Sequence, residues 1–592
     1  MAQELNIRLI TDGKKPLYRQ IYEYIRGEIR SGALEAGERL PSTRALASGL
    51  HVARSTAELA YSQLLSEGYI RAKKNSGYFV NEIENLAELH FEENRAGGGD
   101  AATENREDHA AGLSIADLSL PGLSAADQRT NAEKAGRLSA ADLSVPSLSL
   151  LGKQGAANST MIDFSLRHTE MSVFPYSTWK KIMREVMVDA NSEMFSHSEP
   201  SGDLTLRTTI AHYLHFSRGV RCTPDQVIVG AGNDYLLMLL RHILGEGRRV
   251  AMENPSYLRA AQIFKSFGYE ICPVRMDDDG MLPGSVAASG ADLVYAMPAH
   301  QFPMGCIMPV GRRAALLGWA TEAADRYIIE DDYDSEFRYR GKPIPALQSL
   351  DHAGRVIYIG TFSKVIAPAI RISYMILPPD LLTLYRRKCW FFSSTVSRID
   401  QRILNEFMKN GHFERHLNRM RSLYRARHDE LLAQLRPLQD RFRILGAGTG
   451  LHLVLQAVPG TAALIAQSME NGTPAVAESI DTETAQDLTE STEGLSSARI
   501  EKEIVRRAAA NGVAVYAMSD YLLPETALQD ADDPAAESVW TRDDDSTKHL
   551  PAVLLGFGAL DEVSIREGVR RLSWVLCFER PVGRCRRACT DR

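Results

Sequence analysis

The chain of 592 residues has no run of eighteen apolar residues, and its first fifteen, MAQELNIRLITDGKK, contain no apolar core of the kind that directs secretion. The first absence excludes a membrane-spanning helix. The second makes a cytoplasmic protein the expectation. Cysteine is scarce: the seven are Cys222, Cys272, Cys306, Cys389, Cys577, Cys585 and Cys589, an odd number with no CxxC pair. Cys585 and Cys589 have no second pair at zinc spacing, so no metal centre is expected and reduced thiols are the plain reading. Apolar content of 44%, charged content of 24% and a net charge of −7 are those of an ordinary globular chain. Its length calls for about three or four domain-sized units.

Charge is not evenly spread. Residues 1–80 carry twelve Lys/Arg against eight Asp/Glu, whereas the stretch from Glu82 to Asp108 is strongly acidic. A basic head on an acidic chain fits contact with nucleic acid by that head alone. Within it, PLYRQIYEYIRGEIRS puts Leu17, Ile21, Ile25 and Ile29 on one helical face behind an entry proline. STRALASG and RSTAELAYSQLLSE read as two further helices, and YIRAKKNSGYFV as a hairpin turning at Asn75-Ser76-Gly77. Three helices and a hairpin make a winged helix-turn-helix, assigned to residues 1–82. Ser42, Thr43 and Arg44 open its second helix, and Arg54, Ser55 and Thr56 its third. Arg offers bidentate contact to guanine or phosphate, and Ser and Thr at helix starts suit phosphate. Arg71, Lys73, Lys74 and the Gly77 turn would form the wing. Ala53, preceding the third helix, leaves it without a capping side chain.

Residues 83–160 are rich in Ala, Ser, Gly, Glu and Asp and echo themselves once, ADLSLPGLS against ADLSVPSLS. Two copies are too few for a solenoid, so a flexible linker is expected. Residues 161–578 alternate helical runs with short apolar runs, VIVGAG, RRVAMENP, ADLVYAMP, RYIIEDDYD, RVIYIGTFS and ISYMILP. That alternation predicts an α/β domain with a mostly parallel sheet covered on both faces. Two polar stretches, 469–499 and 525–547, read as exposed insertions, and residues 579–592 as a basic tail.

The chemistry concentrates in IIEDDYDSEFRYR and IGTFSKVIAPAIR. A lone lysine is most often a solvated surface residue, but Lys364 follows a strand and sits beside Thr361 and Ser363 with Arg371 ahead. Asp331 and Tyr333 lie at the end of another strand, where ligands bind in open α/β sheets. Pyridoxal phosphate needs this set: an amine for a Schiff base, a carboxylate for the pyridinium nitrogen, a phenol for the ring oxygen, and Arg with hydroxyls for the phosphate. Gly232 and Asn233, in GAGNDYLL, open a helix whose free N–H groups favour an anion.

LPSTRALA, EGYI and SGYFV in the head, with MENPSY, AHQFPMG, IIEDDYDSEF, YIGTFSKVIAPAIR and LLGFGAL in the body, resemble the MocR/GabR branch of GntR-type transcriptional regulators. In that branch a winged helix is fused to a fold type I aminotransferase-like domain. The likeness covers nearly everything except the linker and the insertions. It implies that Thr361, Ser363, Arg371, Gly232 and Asn233 bind the phosphate, that Asp331 rather than Asp332 meets the pyridine nitrogen, and that Tyr257 stacks on the ring. It also puts His300 and Gln301 near the ring hydroxyl and gives Arg259 to a ligand carboxylate. The sequence departs from the pattern at His197, where relatives have Tyr, and at Leu554, where aminotransferases carry the arginine for the substrate carboxylate. The expectation is a homodimeric regulator of a double-stranded DNA operator that responds to pyridoxal phosphate, with an amino acid or amine as further effector. At most it transaminates weakly. The body strings stand closest to the PdxR-like branch, which controls vitamin B6 synthesis; the rival reading is a working aminotransferase with an appended DNA-binding domain.

Overall fold

The computed structural model describes residues 7, 9–10, 16–31, 33–73, 77–81, 161–166, 169–188, 192–196, 198–339, 344–470, 497–523 and 550–577. Helices Leu17–Arg30, Thr43–Gly49 and Arg54–Ser66 and a three-stranded sheet form the head. The four-residue spacing foreseen for the first helix holds: Ile21, Ile25 and Ile29 are buried against Ala57, Tyr61 and Leu64 of the third. Each such isoleucine stabilises the head by on the order of 2 kcal/mol. Ile70–Lys73 and Gly77–Val80 pair antiparallel as the hairpin, and Arg39–Leu40 adds a short third strand to it. Gly77 has φ +105°, a conformation that glycine enters without strain.

The body is built on a seven-stranded sheet. In spatial order its strands are Val227–Gly230, Ser373–Ile376, Val356–Thr361, Tyr327–Asp332, Leu293–Ala296, Arg249–Glu253 and Glu270–Val274. The six apolar runs read from the sequence are all strands. The seventh, EICPV, opens on a glutamate and contains a proline, and was not foreseen. Neighbours are parallel except at Ser373–Ile376, which runs against both its partners. Both faces are covered: Val229 and Tyr358 point into one apolar cluster, Ile228, Ile357 and Ile359 into another. That is why these strands read as continuous apolar runs. A smaller antiparallel sheet, ordered Phe442–Leu445, His452–Ala457, Ala552–Gly556 and Tyr516–Ala517, forms the second layer of the body.

Part of the stretch 469–499, read as an exposed insertion, is helical. The helices Pro459–Glu470 and Ser497–Ala510 take its two ends, because apolar periodicity continues into them. The rest of it, the 525–547 stretch, residues 83–160, the 579–592 tail, Lys74 and His197 lie outside the described residues. No helix among the described residues is long and apolar enough to cross a membrane.

Candidate cofactor site and nucleic-acid face

Three strands bring expected site residues to one end of the large sheet. Asp331 is at the carboxyl end of Tyr327–Asp332, Thr361 ends the neighbouring strand with Lys364 three residues on, and Asn233 opens the helix that follows Val227–Gly230. Strand alternation separates the two adjacent aspartates. Asp332 is ion-paired with Arg218 at 2.7 Å and accepts from the Tyr358 hydroxyl at 2.6 Å. Asp331 faces the other way, accepting from Asn233 Nδ2 at 3.3 Å and from the Tyr295 hydroxyl. Burial pushes its carboxyl up to about 6, against the hydrogen bond from Tyr295. Of the two acids, only Asp331 lies beside Asn233.

Around it the remaining groups converge. The Tyr333 hydroxyl lies 2.9 Å from His300 Nδ1, which is 2.8 Å from Asp334 Oδ1. Tyr257 meets Phe302 edge to face, and Phe302 in turn meets Tyr333. Gln301 is spent on structure, donating to Pro255 O and accepting from Met304 N. Lys364 Nζ donates to Leu166 O at 3.1 Å. Thr361 Oγ1 accepts from Ser363 N and from the Ser373 hydroxyl. Ser363 Oγ, Asn233 Oδ1 and His300 Nε2 are buried with no hydrogen-bond partner among the described residues.

Basic groups gather at the start of the helix Asn233–Leu244. Arg371, held at φ +49°, lies against Gly232, where a Cβ would come within 2.3 Å of its guanidinium. Arg371 Nη2 is 3.5 Å from Asp234. Arg259 also pairs with Asp234. Arg259, which the resemblance gives to a ligand carboxylate, is held by this pair at the helix start, and its side chain remains 56% exposed. Two guanidiniums, the N–H groups of a helix start and nearby hydroxyls make a seat for a dianion.

Leu554 is 0% exposed and packs with Met276, Met304, Val454 and Met518.

Several contributors were not foreseen. Tyr295 and Arg218 lie in runs that signal only a strand and a helix. Asp334 was visible in EDDYD but had no assigned partner. His452, on the small sheet, stacks obliquely on His300 at 5.2 Å, and burial, with His300 and Lys364 nearby, holds its imidazole down at about 3. No local motif marks it.

In the head, Ser42, Arg44, Arg54 and Ser55 are exposed at the starts of the second and third helices. Ser42 Oγ caps its helix by accepting from Ala45 N at 3.1 Å, and Ala53 provides no side-chain cap, as the sequence indicated. Arg54 is paired with Glu58 one turn on. Thr56 is half-buried. Thr43 is a correction: it is buried in the head, because the helical period turns it inward, so its hydroxyl is not on the exposed face. Lys73 is exposed, its ammonium 5.1 Å from the Phe79 ring.

Residues 17–80 match the model of the bacterial regulatory proteins of the gntR family. The chain is 32% identical over 562 residues to the uncharacterized HTH-type transcriptional regulator YhdI of Bacillus subtilis, covering 94% of this chain and 95% of that protein. It is 34% identical to the probable rhizopine catabolism regulatory protein MocR of Rhizobium meliloti, over 75% of this chain and 82% of that protein. The chain belongs to the MocR-like, gntR-family transcriptional regulators. This regulator is also 30% identical to the pyridoxine biosynthesis regulator PdxR of Corynebacterium glutamicum, covering 77% of this chain and 86% of that protein. Its body has the fold of a multiple substrate aminotransferase from Thermococcus profundus, with a TM-score of 0.55, 24% identity, and coverage of 72% of this chain and 96% of that one. It is a transcriptional regulator with an appended aminotransferase-like domain.

Proposed function

We propose that this regulator holds pyridoxal phosphate on Lys364 and changes its grip on a DNA operator when the cofactor, or its adduct with an amino acid or amine, is bound. The observation that carries the reading is the buried Asp331, at the same end of the sheet as Lys364 and the arginine-rich helix start. A buried carboxyl with a raised pKa is stabilised in its ionised form by a cationic partner, and a pyridinium is one. The orphaned Ser363 Oγ, Asn233 Oδ1 and His300 Nε2 and the glycine-lined approach to Arg371 fit the same group. When bound, it supplies an aldehyde that condenses with amines and a ring that withdraws electrons. Thr361, Ser363, Gly232, Asn233 and Arg371 hold its phosphate. Asp331 supports the ring nitrogen, Tyr333 and His300 the ring oxygen, and Tyr257 the ring face.

Leu554 cannot hydrogen-bond a carboxylate, so an amino acid lacks the clamp that would orient it for turnover, and transamination is at most slow. Exposed Phe216, Trp390 and Phe391 support self-association as a dimer. The unbridged thiols of Cys222, Cys272, Cys306 and Cys389 suit the cytoplasm. The likeness to PdxR supports vitamin B6 metabolism as the regulated process, with amino-acid metabolism as the broader alternative.

The test is borohydride reduction of the full-length protein mixed with pyridoxal phosphate, followed by peptide mass spectrometry. A stoichiometric adduct on Lys364, lost in Lys364→Ala, is expected. A folded native protein with no adduct there would falsify the reading.

A further inference from the structure

The third helix of the head ends against the body. Glu67 O accepts from Val310 N at 2.9 Å, and Gly68 lies so close to Pro309 that a Cβ there would stand 2.6 Å from its ring. Val310 and Ala314, both body residues, are buried within the head's own apolar cluster. Beside this joint opens a cavity of about 180 Å³. Liquid water takes about 30 Å³ per molecule, so the space is that of roughly six waters, or of one small polyatomic ion.

The polar wall of the cavity comes from both sides of the joint: Arg26, Glu67 and Tyr69 from the head, Arg221 and Arg313 from the body. None of the three arginines is ion-paired among the described residues. Arg26 Nη1 donates to the Tyr22 hydroxyl at 3.2 Å, and Arg26 Nε is buried with no hydrogen-bond partner among the described residues. Arg221 is exposed, and its Nη1 lies 3.4 Å from His352 Nδ1. Arg313 is 2% exposed and donates to the carbonyls of Met308, Pro345 and Pro298, which satisfy its hydrogen bonds without cancelling its charge. The lining carboxylate, Glu67, is already engaged by the Tyr22 hydroxyl at 2.6 Å and by Gln63. Three guanidiniums against one carboxylate leave the cavity with an excess of positive charge. Like charges on the two sides of a joint repel unless an anion lies between them.

We propose that this cavity is a binding site for a small oxyanion, a phosphate or a short dicarboxylate, held between Arg26 of the head and Arg221 and Arg313 of the body. The orphaned Arg26 Nε and the guanidinium N–H groups not already engaged are its donors. None of the lining residues belongs to the group around Lys364 and Asp331, so the inference stands without the cofactor reading. An anion that needs both sides binds only the seated head, and therefore stabilises that arrangement over any other.

The test is isothermal titration calorimetry on the full chain in chloride buffer, with inorganic phosphate and with succinate as separate probes. The helix start at Asn233 could also take either ion, so each titration is repeated in Arg371→Gln. Arg26→Gln and Arg221→Gln should each weaken binding by about tenfold or more, the usual worth of a hydrogen bond to a charged group, while Arg371→Gln keeps it. Arg221 is exposed and Arg26 half-buried, so either variant that melts like wild type without probe decides. The probe that binds more tightly names the class, phosphate or carboxylate. Hydrogen exchange at 309–311, where Val310 N closes the joint, should slow with probe in wild type and not in the two variants. Failure of both probes to bind overturns the site, as does binding that is lost in Arg371→Gln and unchanged in folded Arg26→Gln or Arg221→Gln. Binding with the expected pattern but without slower exchange at 309–311 overturns the role in seating the head.

Discussion

The head and the body present their candidate site residues in opposite ways. Arg44, Arg54, Ser55 and Lys73 fall within thirty residues of one another, on the surface, and the scaffold beneath them is three short helices. The body's groups are drawn from five separate strands and turns between Asn233 and His452, most are buried, and each is held by a partner distant in sequence. A surface set can lose a member and keep the rest. A buried set is a single packed object, and a change at one position is felt by all.

The largest expected break of this contrast is Gly450→Ala. A Cβ in that left-handed conformation, pressed into His300, should cost about 2–4 kcal/mol of stability and weaken cofactor loading as well. Thermal unfolding with borohydride labelling measures both. No single-methyl change on the exposed face of the head should approach it. Next is Arg44→Ala, which should reduce specific operator affinity by about 1–3 kcal/mol if it reads a base, and leave Lys364 labelling unchanged. Loss of labelling in that variant would show that the two regions are not separable as described.

A third test sharpens the difference through pH. Burial raises the Asp331 carboxyl to about 6, and pairing with a pyridinium lowers it, so binding releases a proton below that value. Affinity should therefore be flat above about pH 6 and about tenfold weaker at pH 5 than at pH 7. Asp331→Asn should bind more weakly at pH 7 and lose this component, which titrations of the two proteins will reveal. DNA contacts made by arginine should not share it. The smallest effect is Lys73→Ala. As a phosphate contact it should weaken all sequences alike and reduce the salt slope of binding by about one.

The same contrast accounts for what could be read from the linear chain. Lys364, Asp331 and the helix start at Asn233 were legible because each sits just past an apolar strand run, and the end of the sheet is where such runs stop. The head was legible because its signals are local: an entry proline, a four-residue apolar spacing and a turn glycine. What escaped depends on chain crossings. Arg218 meets Asp332 from a helix that announces nothing but its own amphipathicity. His452 reaches His300 from the second sheet, and Arg259 meets Asp234 from another helix. Thr43 shows the converse error, since a residue type suited to phosphate was placed by motif when the helical period sends it inward.

The antiparallel strand Ser373–Ile376 has one more consequence. It pairs on one side with Val356–Thr361, close in sequence, and on the other with Val227–Gly230, more than a hundred residues earlier. The turn that carries Lys364 and Arg371 can therefore form early, whereas the helix start at Asn233 joins it only after a long loop has closed. Closing such a loop is slow and its entropy cost comes before any contact is gained. The proposed seat for the phosphate thus depends on a long-range strand pairing that the turn carrying the lysine does not need.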